Sequence, residues 1–252
     1  MSIFTFVFIF VIILTPEMDK AMKKNPDFKG CVECTQGWSN FQNLTKEDLE
    51  RINEHRYEAI FEPGETIFKT GTPLSNGVFL VNGMAKVYLE GNGGKKLILS
   101  IAKPSRLLAG PGTYTDLRHY YTVVALTEVK TCFIDIHILK EFTRKNSKFA
   151  EGWLSDITSK AKNLFDRMIS LTQKKMHGRL ADALLYLSEK IYGTDDFEIH
   201  LNRQELGELA NMAKESVIRI LKEFAQDEII YENCPHIRIL DKEKLKKISE
   251  TG

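Results

Sequence analysis

The sequence has 252 residues, with 35 Lys and Arg against 34 Asp and Glu and a formal charge of +1. Hydrophobic residues at 43% and charged ones at 27% are ordinary for a globular chain and exclude a disordered or collagen-like one. So balanced a charge gives no sign of a wholesale polyanion binder, and any nucleic-acid contact must be written in local residues. The length suits one large domain or two modest ones. Four cysteines are too few for a disulfide framework, which points to a reducing compartment, the cytoplasm.

In chain order, the first feature is apolar. From Ile3 to Leu14 every residue except Thr5 is hydrophobic. That run is shorter than the roughly 20 residues that a membrane-spanning helix needs. No Lys or Arg precedes it and no small-x-small cleavage site follows, so it is a poor signal peptide. Asp19, Lys20, Lys23 and Lys24 follow around Met18 and Met22, which predicts an upstream mis-assigned start and a native protein beginning at Met18 or Met22. A weak anchor is the second reading, and no membrane partner is expected. Cys31 and Cys34 then form a C-x2-C.

Residues 44–57 read as a short helix. Thr45 and Asp48 resemble a capping box with Asp in place of Glu, and the pattern ends near His55. From Ala59 to about Asp135 turn residues recur: Pro63-Gly64, Gly71, Gly77, Asn82-Gly83, 91–94, Pro104 and 110–112. Between them lie short runs rich in Val, Ile, Phe and Tyr, such as 77–81, 85–89 and 96–101. This is the signature of an antiparallel sandwich or barrel of about eight strands.

A helix follows over residues 150–174. Ala150, Leu154, Ile157, Ala161, Leu164, Met168 and Leu171 fall at alternating steps of 4 and 3, a coiled-coil seam. An ordinary amphipathic helix lying on its own sheet would also show apolar spacing. But Trp153 and Phe165 lie off the seam, so the helix has apolar surface for two partners. The β-domain can be one and a second copy of the helix the other, which predicts a homodimer.

Residues 178–252 read as three helices and two short strands. Residues 180–191 are amphipathic and end at Gly193. Asn202 and Glu205 cap a helix over 203–210, a third runs from about 213 to 227, and 229–232 and 237–240 make a hairpin. The segment RQELGELANMAKESVIRILKEF, residues 203–224, has helix-turn-helix spacing. Leu206, Leu209 and Ala210 face the core from the first helix, and Val217, Ile220 and Leu221 from the second. Asn211 falls where the turn needs a left-handed residue. The open face of the second helix carries Lys214, Glu215, Ser216, Ile218, Arg219 and Lys222. Glu215 and Arg219 stand one turn apart, so both can reach base edges in a major groove. A solvent-facing i,i+4 ion pair is the bland alternative.

The order of β-barrel, long seam helix and winged helix-turn-helix resembles the CRP/FNR (catabolite activator/fumarate-nitrate regulator) family of bacterial transcription factors. The resemblance spans about 44–240 and is most specific in the 203–224 segment and in GRLADALLYL, residues 178–187. It implies an α+β chain in four parts: a tail over 1–40, a cyclic-nucleotide-binding-like β-roll over 41–147, a dimerisation helix over 148–177, and a winged helix-turn-helix over 178–252. It also implies a DNA-binding regulator and not an enzyme, with double-stranded DNA, a second copy and RNA polymerase as partners. Matching the motif gives Glu215 and Arg219 the reading of a G·C pair in each half-site. Lys214 and Ser216 match base or phosphate contacts, and Gln204 a phosphate contact. Ala213 departs from the pattern, since many relatives have a capping Ser there.

The family's barrel often holds cyclic AMP through a Gly-Glu pair and an Arg-Ser or Arg-Thr pair. In LLAGPGTYTDLRHYYTVVAL, residues 107–126, Ala109 stands at the Glu position and His119 and Tyr120 at the Arg-Ser positions. A cyclic phosphate needs a fixed cation and convergent donors, which Ala109 does not supply. Leu164 and Phe165 replace the adenine-facing hydroxyls, so no tight cyclic-nucleotide binding is expected. Tyr114, His119, Tyr120 and Tyr121 are the candidate lining for another effector; strand packing or solvent exposure is the bland reading. Cys31, Cys34 and Cys132 match three of the four cysteines that hold an iron–sulfur cluster in oxygen-sensing members, with Asn40 in place of the fourth. A cluster usually takes four thiolates, zinc faces the same shortage, and a Cys31–Cys34 disulfide needs no third residue.

Charge argues in the other direction. Residues 178–252 hold 11 Lys and Arg against 15 Asp and Glu, a net of −4, so nonspecific DNA binding should be weak. Two rival readings are a redox or metal carrier built on the C-x2-C and a ligand-binding β-roll whose helical domain contacts protein. The exposed face of the second helix would have no purpose in the first. The signal sensed, the target genes and the sign of regulation are not written in the sequence.

Overall fold

The computed structural model describes residues 38–252. The apolar run, Met18, Met22, Cys31 and Cys34 lie outside them. A 3-10 turn, Ser39–Asn43, comes first. Thr45 then caps α1 (Lys46–Glu54), accepting from the Asp48 amide while Asp48 accepts from the Thr45 amide, both at 3.2 Å. The helix stops at Glu54 and does not run to 57, because Arg56 already pairs as a strand residue with Ile134.

The strands are β1 (Arg56–Phe61), β2 (Thr66–Phe68), β3 (Asn76–Asn82), β4 (Ala85–Glu90), β5 (Lys96–Ala102), β6 (Arg106–Leu108), β7 (Thr122–Ala125) and β8 (Val129–Asp135). They form two antiparallel four-stranded sheets, ordered β1-β8-β3-β6 and β2-β7-β4-β5. Within the first sheet, the side chains of β3, β6 and β8 alternate between two cores. Val78, Leu80, Val129 and Phe133 fill the space between the sheets. Phe79, Leu107, Cys132 and Ile134 point the other way, into a core completed by helices.

Those helices are α2 (Ile136–Lys145) and α3 (Ser147–Gln173). Helix α2 was not expected from the sequence, and α3 begins three residues before the expected 150. Asp135 caps α2 by accepting from the His137 amide, and Asn146 caps α3 by accepting from the Phe149 amide. Trp38, Phe149 and Trp153 meet edge to face, with centroids 5.6–6.0 Å apart, and seat α3 on the roll. Asn40 donates to the Phe149 carbonyl at 2.7 Å and lies where a Cβ on Gly152 would stand 1.9 Å from its Oδ1.

Beyond Trp153 the helix has an open apolar side. Leu154, Ile157, Leu164 and Met168 of the predicted seam are 43–64% exposed, and Ala161 and Leu171 are half-buried. Phe165 and Ile169 are also exposed, so of the two off-seam aromatics only Trp153 is spent on the chain's own roll.

The C-terminal part contains α4 (Met176–Tyr186), a π-helical turn (Leu187–Tyr192) ended by left-handed Gly193, β9 (Asp196–Glu198), α5 (Arg203–Ala210), α6 (Lys214–Gln226), β10 (Ile230–Asn233), β11 (His236–Ile239) and α7 (Lys242–Thr251). The wing is a three-stranded sheet, β10-β11-β9, and not the two-stranded hairpin expected. The closing helix α7 was also unexpected. It is capped by Asp241 and buries Leu245 and Ser249.

This part docks on the second sheet through one continuous core. Leu180, Leu184, Leu206, Leu209 and Ile220 share it with Tyr88, Ile98, Ile101 and Val124. Polar ties reinforce the seat: Lys86 pairs with Glu205, the Ile101 amide donates to Tyr186 Oη at 2.9 Å, and Arg167 Nη2 donates to the carbonyls of Ile98 and Leu209. Among the described residues, no helix is long and apolar enough to cross a membrane.

Candidate nucleic-acid interface

Asn202 opens α5 with a second capping box: its side chain accepts from the Glu205 amide and Glu205 accepts from the Asn202 amide, both at 2.9 Å. At the other end Asn211 takes φ 50° and ψ 57°, the left-handed conformation expected of it. Gly207 makes the turn possible, because a Cβ there would lie 2.6 Å from the Met212 carbonyl oxygen. This glycine is not among the residues that the sequence motif singles out. Its signal was a Gly inside a helix, which costs about 1 kcal/mol against Ala and needs a packing reason. Arg179 donates to the carbonyls of Ala210 and Asn211 at 3.1 and 3.2 Å and ties the turn to α4.

Packing sets the rotation of α6. Val217, Ile220 and Leu221 are buried against Leu206, Leu209 and Ala210. Lys214, Glu215, Arg219 and Lys222 are therefore exposed on the opposite face, with Ser216 and Ile218 half-buried. Ala213, the N-cap, makes no side-chain cap. Gln204 is exposed on the first turn of α5, with Nε2 3.5 Å from Glu208.

The ion pair on α6 runs from Arg219 to Glu223: Nη1 donates to Oε1 at 2.6 Å. The other oxygen of Glu223 lies 2.7 Å from Nε2 of His177, on the first turn of α4. The hydrogen bond from His177, then that from Arg219, hold the Glu223 carboxyl below the usual carboxylate range. Neither Glu223 nor His177 stood out in the sequence. Basic side chains in and beside the wing are likewise paired with carboxylates. Asp196 pairs with His236 and accepts from Arg238 Nε at 2.7 Å, and Arg203 pairs with Glu232.

The four candidate sensor residues do not line one pocket. His119 is buried, stacks on Phe68 at 3.9 Å, and borders a cleft of about 300 Å³ with Tyr57, Asn76 and Phe133. Burial pushes its pKa down, so the imidazole is neutral at pH 7. Tyr114 lies elsewhere, against Trp153 and with its hydroxyl 2.5 Å from Thr143 Oγ1. Tyr120 is exposed and donates to Asp116 at 3.2 Å. Tyr121 packs near Phe68 and Gly110, and burial pushes its phenol up. The four share a stretch of sequence, but the intervening turns send them in different directions.

At the junction of roll and helix, Lys160 donates to Asp156 at 2.6 Å and to the Leu107 carbonyl at 3.1 Å, and burial pushes its pKa down. Ala109 is buried and brings only a methyl group. Cys132 is 5% exposed on β8, with Arg56 Nη1 3.4 Å from its sulfur. Asn40, at the place of the missing cysteine, is committed to Phe149 and Asn43. Among the described residues no three of His, Cys, Asp or Glu are grouped to hold a metal.

Residues 178–248 match the model of a Crp-like helix-turn-helix domain, and 58–146 that of a cyclic nucleotide-binding domain. The chain is similar to the transcriptional regulatory protein Btr of Bordetella pertussis, 21% identical over 92% of this chain and 98% of that one. It is also similar to the transcriptional activator protein FnrA of Stutzerimonas stutzeri, 24% identical over 84% and 88%. Among solved structures, FixK2 from Bradyrhizobium japonicum superposes with a TM-score of 0.71, covering 78% of this chain and 98% of its own at 16% identity, and so shares the fold.

Proposed function

The chain belongs to the CRP/FNR family of transcription regulators, and from that premise we propose that it acts as a homodimer reading a palindromic promoter site with α6. The observation that carries this reading is the fixed rotation of α6, with Val217, Ile220 and Leu221 locked inside and Glu215 and Arg219 outside. Glu215 accepts from the amino group of cytosine, and Arg219 grips O6 and N7 of guanine. Gln204 and Lys222 take phosphates, and Lys214 and Ser216 phosphates or bases, aided by the first amides of α6, which Ala213 leaves without a side-chain cap. The exposed stripe of Leu154, Ile157, Leu164 and Met168 supports pairing with a second α3. Two-fold symmetry then spaces the half-sites about one turn of DNA, roughly 34 Å, apart. The protein works in the cytoplasm, meets RNA polymerase there, and catalyses no reaction.

The effector is not cyclic AMP. Neutral His119 replaces the phosphate-binding arginine, Ala109 replaces the carboxylate, and Leu164 and Phe165 offer no hydroxyl. Of the three cysteines matched to cluster ligands, Cys132 alone is among the described residues, where no three of His, Cys, Asp or Glu are grouped to hold a metal. Gel shift of the full chain against fragments of the source genome tests the proposal. Retention of a small set of fragments sharing a palindrome is expected; no retarded fragment, even at low salt, would sink it.

A further inference from the structure

We propose that Glu223 is a positioning residue for DNA reading, holding Arg219 so that the open edge of its guanidinium meets guanine, with His177 anchoring the carboxylate from behind. The inference rests on the reading that Arg219 contacts a base. Both oxygens of Glu223 are engaged, one by Arg219 at 2.6 Å and one by His177 at 2.7 Å. The carboxylate is thus tethered to two helices, and the His177 ring lies 6.1 Å from Phe224, itself buried in the core. An arginine on a helix surface ordinarily loses rotamer freedom when it binds. Here one guanidinium nitrogen is already fixed, and the others remain for the two acceptors of guanine.

The same carboxylate has an opposite effect on unspecific contact. Standing next to the groove-facing arginine, it removes positive charge that any DNA phosphate would attract. Glu223 therefore strengthens discrimination while weakening binding to unrelated sequence. A residue that merely stabilised the fold would move both affinities in the same direction.

The test uses the full chain and three duplexes: one selected by the wild type, the same with its arginine-read G·C pair replaced, and an unrelated one. Fluorescence anisotropy is recorded for wild type, Glu223→Ala, Glu223→Gln and Arg219→Ala. Glu223→Ala should bind the unrelated duplex more tightly yet lose roughly two- to tenfold of its G·C discrimination, the range set by freeing one long side chain. Glu223→Gln keeps an acceptor oxygen, so it should retain most of the discrimination and share the tighter unspecific binding. Unchanged discrimination in Glu223→Ala, or weaker binding to all three duplexes, would overturn the proposal. If Glu223→Ala does not fold, Glu223→Gln decides, and unrelated-duplex affinity equal to wild type refutes it. Discrimination unaltered in Arg219→Ala would instead show that the base-reading assignment itself is wrong.

Discussion

On the proposed reading, individual side chains on α6 divide the work between location and sequence. Lys222 is exposed a turn beyond Arg219, and on the proposed reading it meets the phosphate chain and not a base edge. Lys222→Ala should therefore weaken binding to all sequences alike and lower the salt slope by about 0.9 for each phosphate that is no longer neutralised. Titration of one specific and one random duplex at several salt concentrations checks this; a change confined to the specific duplex would move Lys222 into the base-reading set. The face of α6 was legible because Leu206, Leu209, Val217, Ile220 and Leu221 leave one rotation for each helix and Asn211 marks the turn between them. The pairing of Glu223 with His177 was not. It joins residues 46 apart in sequence, and nothing local to either announces the other.

Elements were readable where their signals were local. The roll showed itself through turn residues at short intervals, and α1 and α5 through capping boxes. Three elements escaped for different reasons. The start of α2 continues an alternating apolar run, Ile134, Ile136 and Ile138, so it reads as more strand until the Asp135 cap is seen. Strand β9 has only three residues and exists because β11 pairs with it. Helix α7 is mostly charged, so its few buried residues leave a faint periodicity. The candidate effector lining failed through tertiary structure: residues 114–121 wind through turns that scatter their side chains, while the cleft at His119 draws on β1, β2, β3 and β8. For α3 the seam is the point at issue. Leu164→Asp or Met168→Asp would bury an unpaired charge if the stripe is an interface, and each should give monomers in sedimentation. A dimer unchanged in both variants would remove the seam from the account.

In the molecule as a whole, the β-roll and the C-terminal part are continuous. The core that holds α5 and α6 also takes in Tyr88, Ile98 and Ile101 of the second sheet, and Arg167 on α3 reaches carbonyls on both sides. A signal that shifted β4, β5 or α3 would thus act directly on the seat of α5 and α6, provided its affinity differed between the two arrangements. Lys86 and Glu205 are the charged tie across this seat, with side chains only 12% and 16% exposed. Lys86→Ala leaves the carboxylate partly buried without its cation and should lower stability by about 1–3 kcal/mol. Differential scanning calorimetry should show the transition of the C-terminal part shifted downward and separated from that of the roll. A single transition at the wild-type temperature would mean that the tie contributes nothing to the docking.

The proposed function turns on α6 reading DNA through Glu215 and Arg219 in a two-fold arrangement. Selection from a pool of randomised duplexes, run in parallel with wild type and Arg219→Ala, tests it most directly. The wild type should enrich a palindrome with half-sites about one helical turn, roughly 34 Å, apart. Arg219→Ala should enrich the same palindrome with one G·C pair per half relaxed, at a cost of about 1–3 kcal/mol. An enriched sequence without two-fold symmetry, or an identical motif from both proteins, would contradict the account.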